Sequence, residues 1–85
     1  MNLQAALIKE QGVTFAVVAV KPAAAAPGTR HSTASSAARL FPGCPVVLMS
    51  QDHTGRATFY GRSDLVRFLS RVSLHSLPWR RFNAA

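Results

Sequence analysis

The side chains able to carry covalent or acid–base chemistry are few and poorly matched. The lone cysteine, Cys44, lies between Gly43 and Pro45. A reactive thiol needs a pKa depressed by a helix N-terminus or a cationic neighbour. Cys44 instead follows an expected helix C-terminus, where the dipole opposes a thiolate, and Arg39 is the one cation near it in sequence. It reads as a small, half-buried side chain. Ser50, Asp52 and His53 supply the residue types of a nucleophilic triad within four positions. A triad assembles base and nucleophile from separate elements, whereas Asp52 and His53 are adjacent positions of a turn. His31, His53 and His75 have no mutual metal-ligand spacing, and no second cysteine completes a zinc set. The three acids, Glu10, Asp52 and Asp64, offer no general acid–base pair. These residues predict a non-enzymatic protein without metal or cofactor.

Binding chemistry has more to work with. Ten Lys and Arg face three acids, a net charge of +7. Most of the cations are arginines, which stay charged, fork onto carboxylates or phosphates and stack on rings. The field favours anionic partners, either nucleic acid or an acidic protein surface. One candidate surface combines Arg56, Arg62, Arg67 and Arg71 with Trp79, Arg80 and Arg81. In Trp79-Arg80-Arg81-Phe82, rings could stack on bases while guanidiniums meet phosphates, or Trp79 could anchor a protein interface. The plainer reading has Trp79 and Phe82 closing over a core with both arginines solvated. Phe59 and Tyr60 do not make an RNA-binding platform, because the RNP1 pattern is missing and alternation puts the rings on opposite faces.

A second candidate is the loop Gly28, Thr29, Arg30, His31, Ser32, Thr33 leading into a helix. Free N–H groups, hydroxyls and a guanidinium there can hold a small anion. The Walker and dinucleotide glycine patterns are both missing. Helix capping by Ser32 or Thr33 accounts for the same residues with nothing bound.

The elements that must position these groups follow from periodicity. Residues 2–10 read as a short helix, with Asn2 as N-cap, Leu3, Leu7 and Ala6 inward, and Gly12 ending it. Residues 13–21 are a β-branched apolar run with two apolar alternating sets: Val13, Phe15, Val17 and Ala16, Val18, Val20. Such a strand belongs in the middle of a sheet covered on both sides. Residues 22–30 form a loop, and a helix starts near His31–Thr33 and runs through Leu40 to Phe41-Pro42-Gly43. Residues 45–51 make a second strand, Asp52-His53-Thr54-Gly55 a turn, and 56–60 a third strand. Ser63 caps a helix whose Leu65, Phe68, Leu69 and Val72 share one face. Residues 73–85 are a tail folded back over the sheet. The predicted fold class is α/β (α+β), a small three-stranded mixed sheet with element order α-β-α-β-β-α, in one domain spanning 1–85.

From Cys44-Pro45-Val46-Val47-Leu48 through the hairpin and Gly61 to the amphipathic helix, this pattern resembles the closing half of a thioredoxin fold. The likeness is topological and covers about residues 13–72. In that family the proline before the first hairpin strand is typically cis, which implies a cis Cys44–Pro45 bond. The general background favours trans, since only roughly 5–6% of X–Pro bonds in folded proteins are cis. The redox pair of cysteines two residues apart is missing, so the resemblance implies no redox activity.

A single cysteine allows no intramolecular disulfide and suits a reducing, cytoplasmic compartment. The longest apolar stretch, 13–20, is far below the ~20 residues that span a bilayer, so no membrane partner is expected. Lys9, Glu10 and Lys21-Pro22 argue against a secretion signal. The function that best fits is a small basic binding or assembly module, self-associating through spare apolar strand surface. Nucleic-acid backbone binding through an arginine-rich face is the first alternative, and anionic-ligand binding near residues 28–33 the second.

Overall fold

The two apolar faces of Val13–Ala19 demand partners on both edges and cover on both sides, and the chain supplies them. The computed structural model describes residues 2–83; residues 1, 84 and 85 of the expected domain lie outside them. Five strands, β1 (Asn2–Glu10), β2 (Val13–Ala19), β3 (Val46–Gln51), β4 (Ala57–Tyr60) and β5 (Arg80–Asn83), form one mixed sheet in the order β4-β3-β2-β1-β5. Two helices, α1 (Arg30–Ala38) and α2 (Ser63–Leu69), complete the α+β fold with two short 3₁₀ turns, Pro22–Ala25 and Leu74–Ser76. β2 sits third of the five, with Phe15, Ala16, Val17 and Val18 all buried.

The expected three-stranded sheet is corrected at both ends of the chain. Residues 2–10 are a strand, not a helix. Leu, Gln, Ala, Lys and Glu are good helix formers, but an isolated helix of this length is marginal in water. Pairing along the whole of β2, from Gln4↔Ala19 to Glu10↔Val13, buries Ala5 and Ala6 completely. The reversal uses Gln11 (φ 50°) and Gly12 (φ 80°), the two positive-φ positions that a tight hairpin of matching twist requires. Leu7, expected inward, is 45% exposed.

The tail is also a strand. β5 pairs antiparallel with β1, Phe82 opposite Leu3 and Arg80 opposite Ala5. Pro78 lacks the N–H that a ladder needs, which fits the strand beginning only at Arg80. The indole Nε1–H of Trp79 donates to the Leu74 carbonyl at 2.8 Å, tying this segment to the 3₁₀ turn before it.

β2 and β3 are parallel, joined by the crossover that carries α1; β3 and β4 are an antiparallel hairpin. In its turn the Asp52 Oδ1 accepts the backbone N–H groups of Thr54 (2.9 Å) and Arg56 (3.0 Å). No peptide bond among the described residues is cis, so Cys44–Pro45 is trans. α1 starts one residue before the expected range, with Thr29 at the cap position, and neither Ser32 nor Thr33 caps it. Ser63 is the first residue of α2 rather than its cap, which falls on Arg62.

Each face of the sheet has its own core. Ala5, Ala16, Val18 and Leu48 pack against Ala37 of α1 and Phe41. Phe15, Val17, Val47 and Met49 pack against Leu65 and Leu69 of α2, with Phe15 and Phe68 meeting edge to face at 6.3 Å. The two apolar sets of β2 are thus buried on opposite sides of the sheet. No helix among the described residues is long and apolar enough to cross a membrane.

Candidate ligand groove

α1 reads Arg-His-Ser-Thr-Ala-Ser-Ser-Ala-Ala, and its side chains are almost all short. It presents only Ala34 and Ala37 to the core of its sheet face. Its ends are held by larger groups. Arg30 lies over the Tyr60 ring of β4, 4.8 Å from the centroid, and Phe41 meets Phe82 of β5 edge to face at 5.1 Å. The helix thus stretches from one edge strand towards the other, and between those anchors its small side chains leave space above the sheet.

That space is a groove of about 1080 Å³. Leu3, Val18 and Val20 form its floor; Thr33, Ser36, Ala37 and Leu40 form one wall; Lys21, Pro22 and Ala24 form the other. It lies at the carboxyl ends of the parallel pair β2 and β3, the location where open sheets with crossover helices bind ligands. Its volume lies just above the range of small-molecule pockets, roughly 300–1,000 Å³. Among the described residues, Lys21 and Arg39 are its two cations and no carboxylate lines it. Leu40, at 37% exposure, is one of two large apolar side chains exposed among the described residues.

Of the loop residues 28–33 singled out from sequence, Thr33 alone lines the groove. Gly28, Thr29, Arg30 and Ser32 do not line the groove. The Thr29 hydroxyl donates to the Ala23 carbonyl at 2.6 Å, and Arg30 is occupied by Tyr60. Of the arginines, Arg67 and Arg71 come together beside Glu10 and Asp64 in a smaller depression of about 310 Å³ between α2 and the β1–β2 turn. Arg62 forks onto Asp64, its Nε donating to Oδ1 at 2.9 Å and its Nη2 to Oδ2 at 2.7 Å, and this contact holds the Asp64 carboxyl below its ordinary pKa. Arg56 follows the hairpin turn at the far side of β3. Arg80 and Arg81 are exposed neighbours on β5, and strand alternation sends them to opposite faces. Trp79 is partly buried in the α2-side core with its N–H satisfied, so it is not a free stacking platform.

No protein-family model, curated protein or solved structure matches this chain. The thioredoxin-like reading of the hairpin and α2 therefore has no related structure behind it, and no residue role comes with it. The groove residues Arg39 and Leu40 were not singled out as a binding site from sequence. Their signal was indirect: a helix of small side chains crossing a sheet leaves volume unfilled.

Among the polar groups first weighed for catalysis, Asp52 is committed to its turn, and Ser50 is buried beneath it in β3. Cys44 is half-buried, its backbone N–H bonded to the Phe41 carbonyl.

Proposed function

We propose that the protein is a non-enzymatic binding module that holds a small ligand in the groove beside α1. The observation that carries this reading is the groove itself: apolar floor, polar helix wall and two cations, on a sheet whose faces are otherwise covered. Self-association has less support, since the apolar residues of β2 and β3 pack within the chain. The test uses 8-anilinonaphthalene-1-sulfonate, an apolar fluorescent anion, against the wild type and Ser36→Trp. Ser36 is exposed and lines the groove, so the indole fills the space without entering the core. Saturable enhancement lost in Ser36→Trp supports the reading; enhancement unaffected by the substitution counts against it.

A second reading is attachment to a nucleic-acid backbone. It is favoured by the arginines, of which only Arg62 has a carboxylate partner among the described residues. Against it, the basic groups are divided between the two faces, so a single strand would meet few at once. Affinity for a random-sequence duplex that falls steeply between low and moderate salt would support it. Binding absent even at low salt would remove it.

A further inference from the structure

We infer that the groove ligand is a small amphipathic anion, an apolar chain or ring ending in a carboxylate or phosphate. This rests on the groove being a binding site and adds the class of molecule it takes. Three observations converge. The floor and part of one wall are aliphatic, from Leu3, Val18, Val20 and Leu40, so the ligand body gains by leaving water. The charged side chains lining the groove among the described residues are Lys21 and Arg39, both exposed, with no acid among them. A neutral apolar ligand leaves these charges unused, and a cationic one is repelled by them and by the net +7 of the chain. An anionic head meets Lys21 as a point charge and Arg39 as a fork, while its body lies along the strand ends.

Lys21 is placed just after β2 and immediately before Pro22, its carbonyl accepting the Ala24 N–H at 2.9 Å, and the preceding Val20 N–H donates to the Met49 carbonyl at 2.8 Å. Arg39 is placed by the last turn of α1, where its backbone N–H reaches the Ser36 and Ala37 carbonyls. Both cations therefore sit on hydrogen-bonded backbone, which reduces the ordering that a ligand must impose.

The experiment titrates decanoate, below its micellar concentration, and decanol into the wild type, following backbone amide shifts of residues 18–21 and 33–40. Two double variants are compared: Lys21→Ala/Arg39→Ala, and Arg67→Ala/Arg71→Ala, which removes equal charge away from the groove. Decanoate should bind at least about tenfold more tightly than decanol, and the difference should vanish in the first variant and survive in the second. Equal affinity of the two alcohol and acid ligands overturns the inference while leaving the groove as a binding site. Equal loss in both variants also overturns it, by assigning the preference to overall charge. If neither ligand shifts the groove amides, the groove reading fails too. Anionic phospholipid vesicles that bind the protein through the same two cations, with decanoate inactive, would make the site a membrane contact and refute a free ligand.

Discussion

The Arg30 guanidinium lies over the Tyr60 ring, 4.8 Å from its centroid, joining the first residue of α1 to the last of β4. The contact holds one end of a helix that has no side-chain cap and weak helix formers in its middle. Arg30→Met should lower stability by about 0.5–1 kcal/mol, the scale of an exposed cation–π pair. Tyr60→Leu should remove the same coupling, so the double variant costs less than the sum of the singles. Urea unfolding of all four proteins measures it; strict additivity would show the contact to be idle.

The β1–β2 turn is strained at Gln11, a non-glycine residue at φ 50°. Asparagine tolerates this conformation better, and Asn-Gly is the preferred pair for such a hairpin. Gln11→Asn should raise stability by about 0.5–1 kcal/mol. An unchanged or lower urea midpoint would place the strain elsewhere.

Gly61 is required by close approach rather than by its backbone angles. A Cβ there would lie 3.1 Å from the Val46 carbonyl oxygen and 3.1 Å from Val47 Cγ2. Both neighbours belong to β3, which is paired with a strand on each side. Gly61→Ala should destabilise by about 1–3 kcal/mol, as overpacking does. Thermal unfolding that matches the wild type would mean that the strand gives way freely.

Asp52 has its carboxyl held below the ordinary value of 3.8 by the Thr54 hydroxyl, then by the Arg56 N–H. Because the folded pKa is depressed, its contribution is fully present above the unfolded value and is lost as pH falls through the folded one. Asp64, held down by Arg62, acts in the same sense. Stability of the wild type should therefore decline in the acid range below about pH 4–5, and Asp52→Ala should decline less steeply there. Unfolding curves at neutral and acid pH test it; parallel declines would exclude Asp52 as a source.

What could be read from the sequence was set by local chemistry. β2 was legible because an apolar strand on both alternating sets has only one comfortable place, the middle of a covered sheet. The β3–β4 hairpin was legible because Asp52 and Gly55 make their own turn. β1 was not, since Leu3 to Glu10 is written in helix-forming residues and only pairing with β2 overrides that preference. β5 was not, since its four residues carry no period and their partner strand had been read as a helix. The groove depended on where α1 crosses the sheet, which Arg30–Tyr60 and Phe41–Phe82 fix across long stretches of chain. The arginines gave their charge from sequence but not their distribution, because distribution follows from the same strand order.

Intermolecular nuclear Overhauser effects between decanoate and protein methyl groups test the ligand groove most directly. The account predicts contacts from the ligand chain to Val18, Val20 and Leu40. Contacts confined to Leu7, the other exposed aliphatic residue, or to α2 would contradict it.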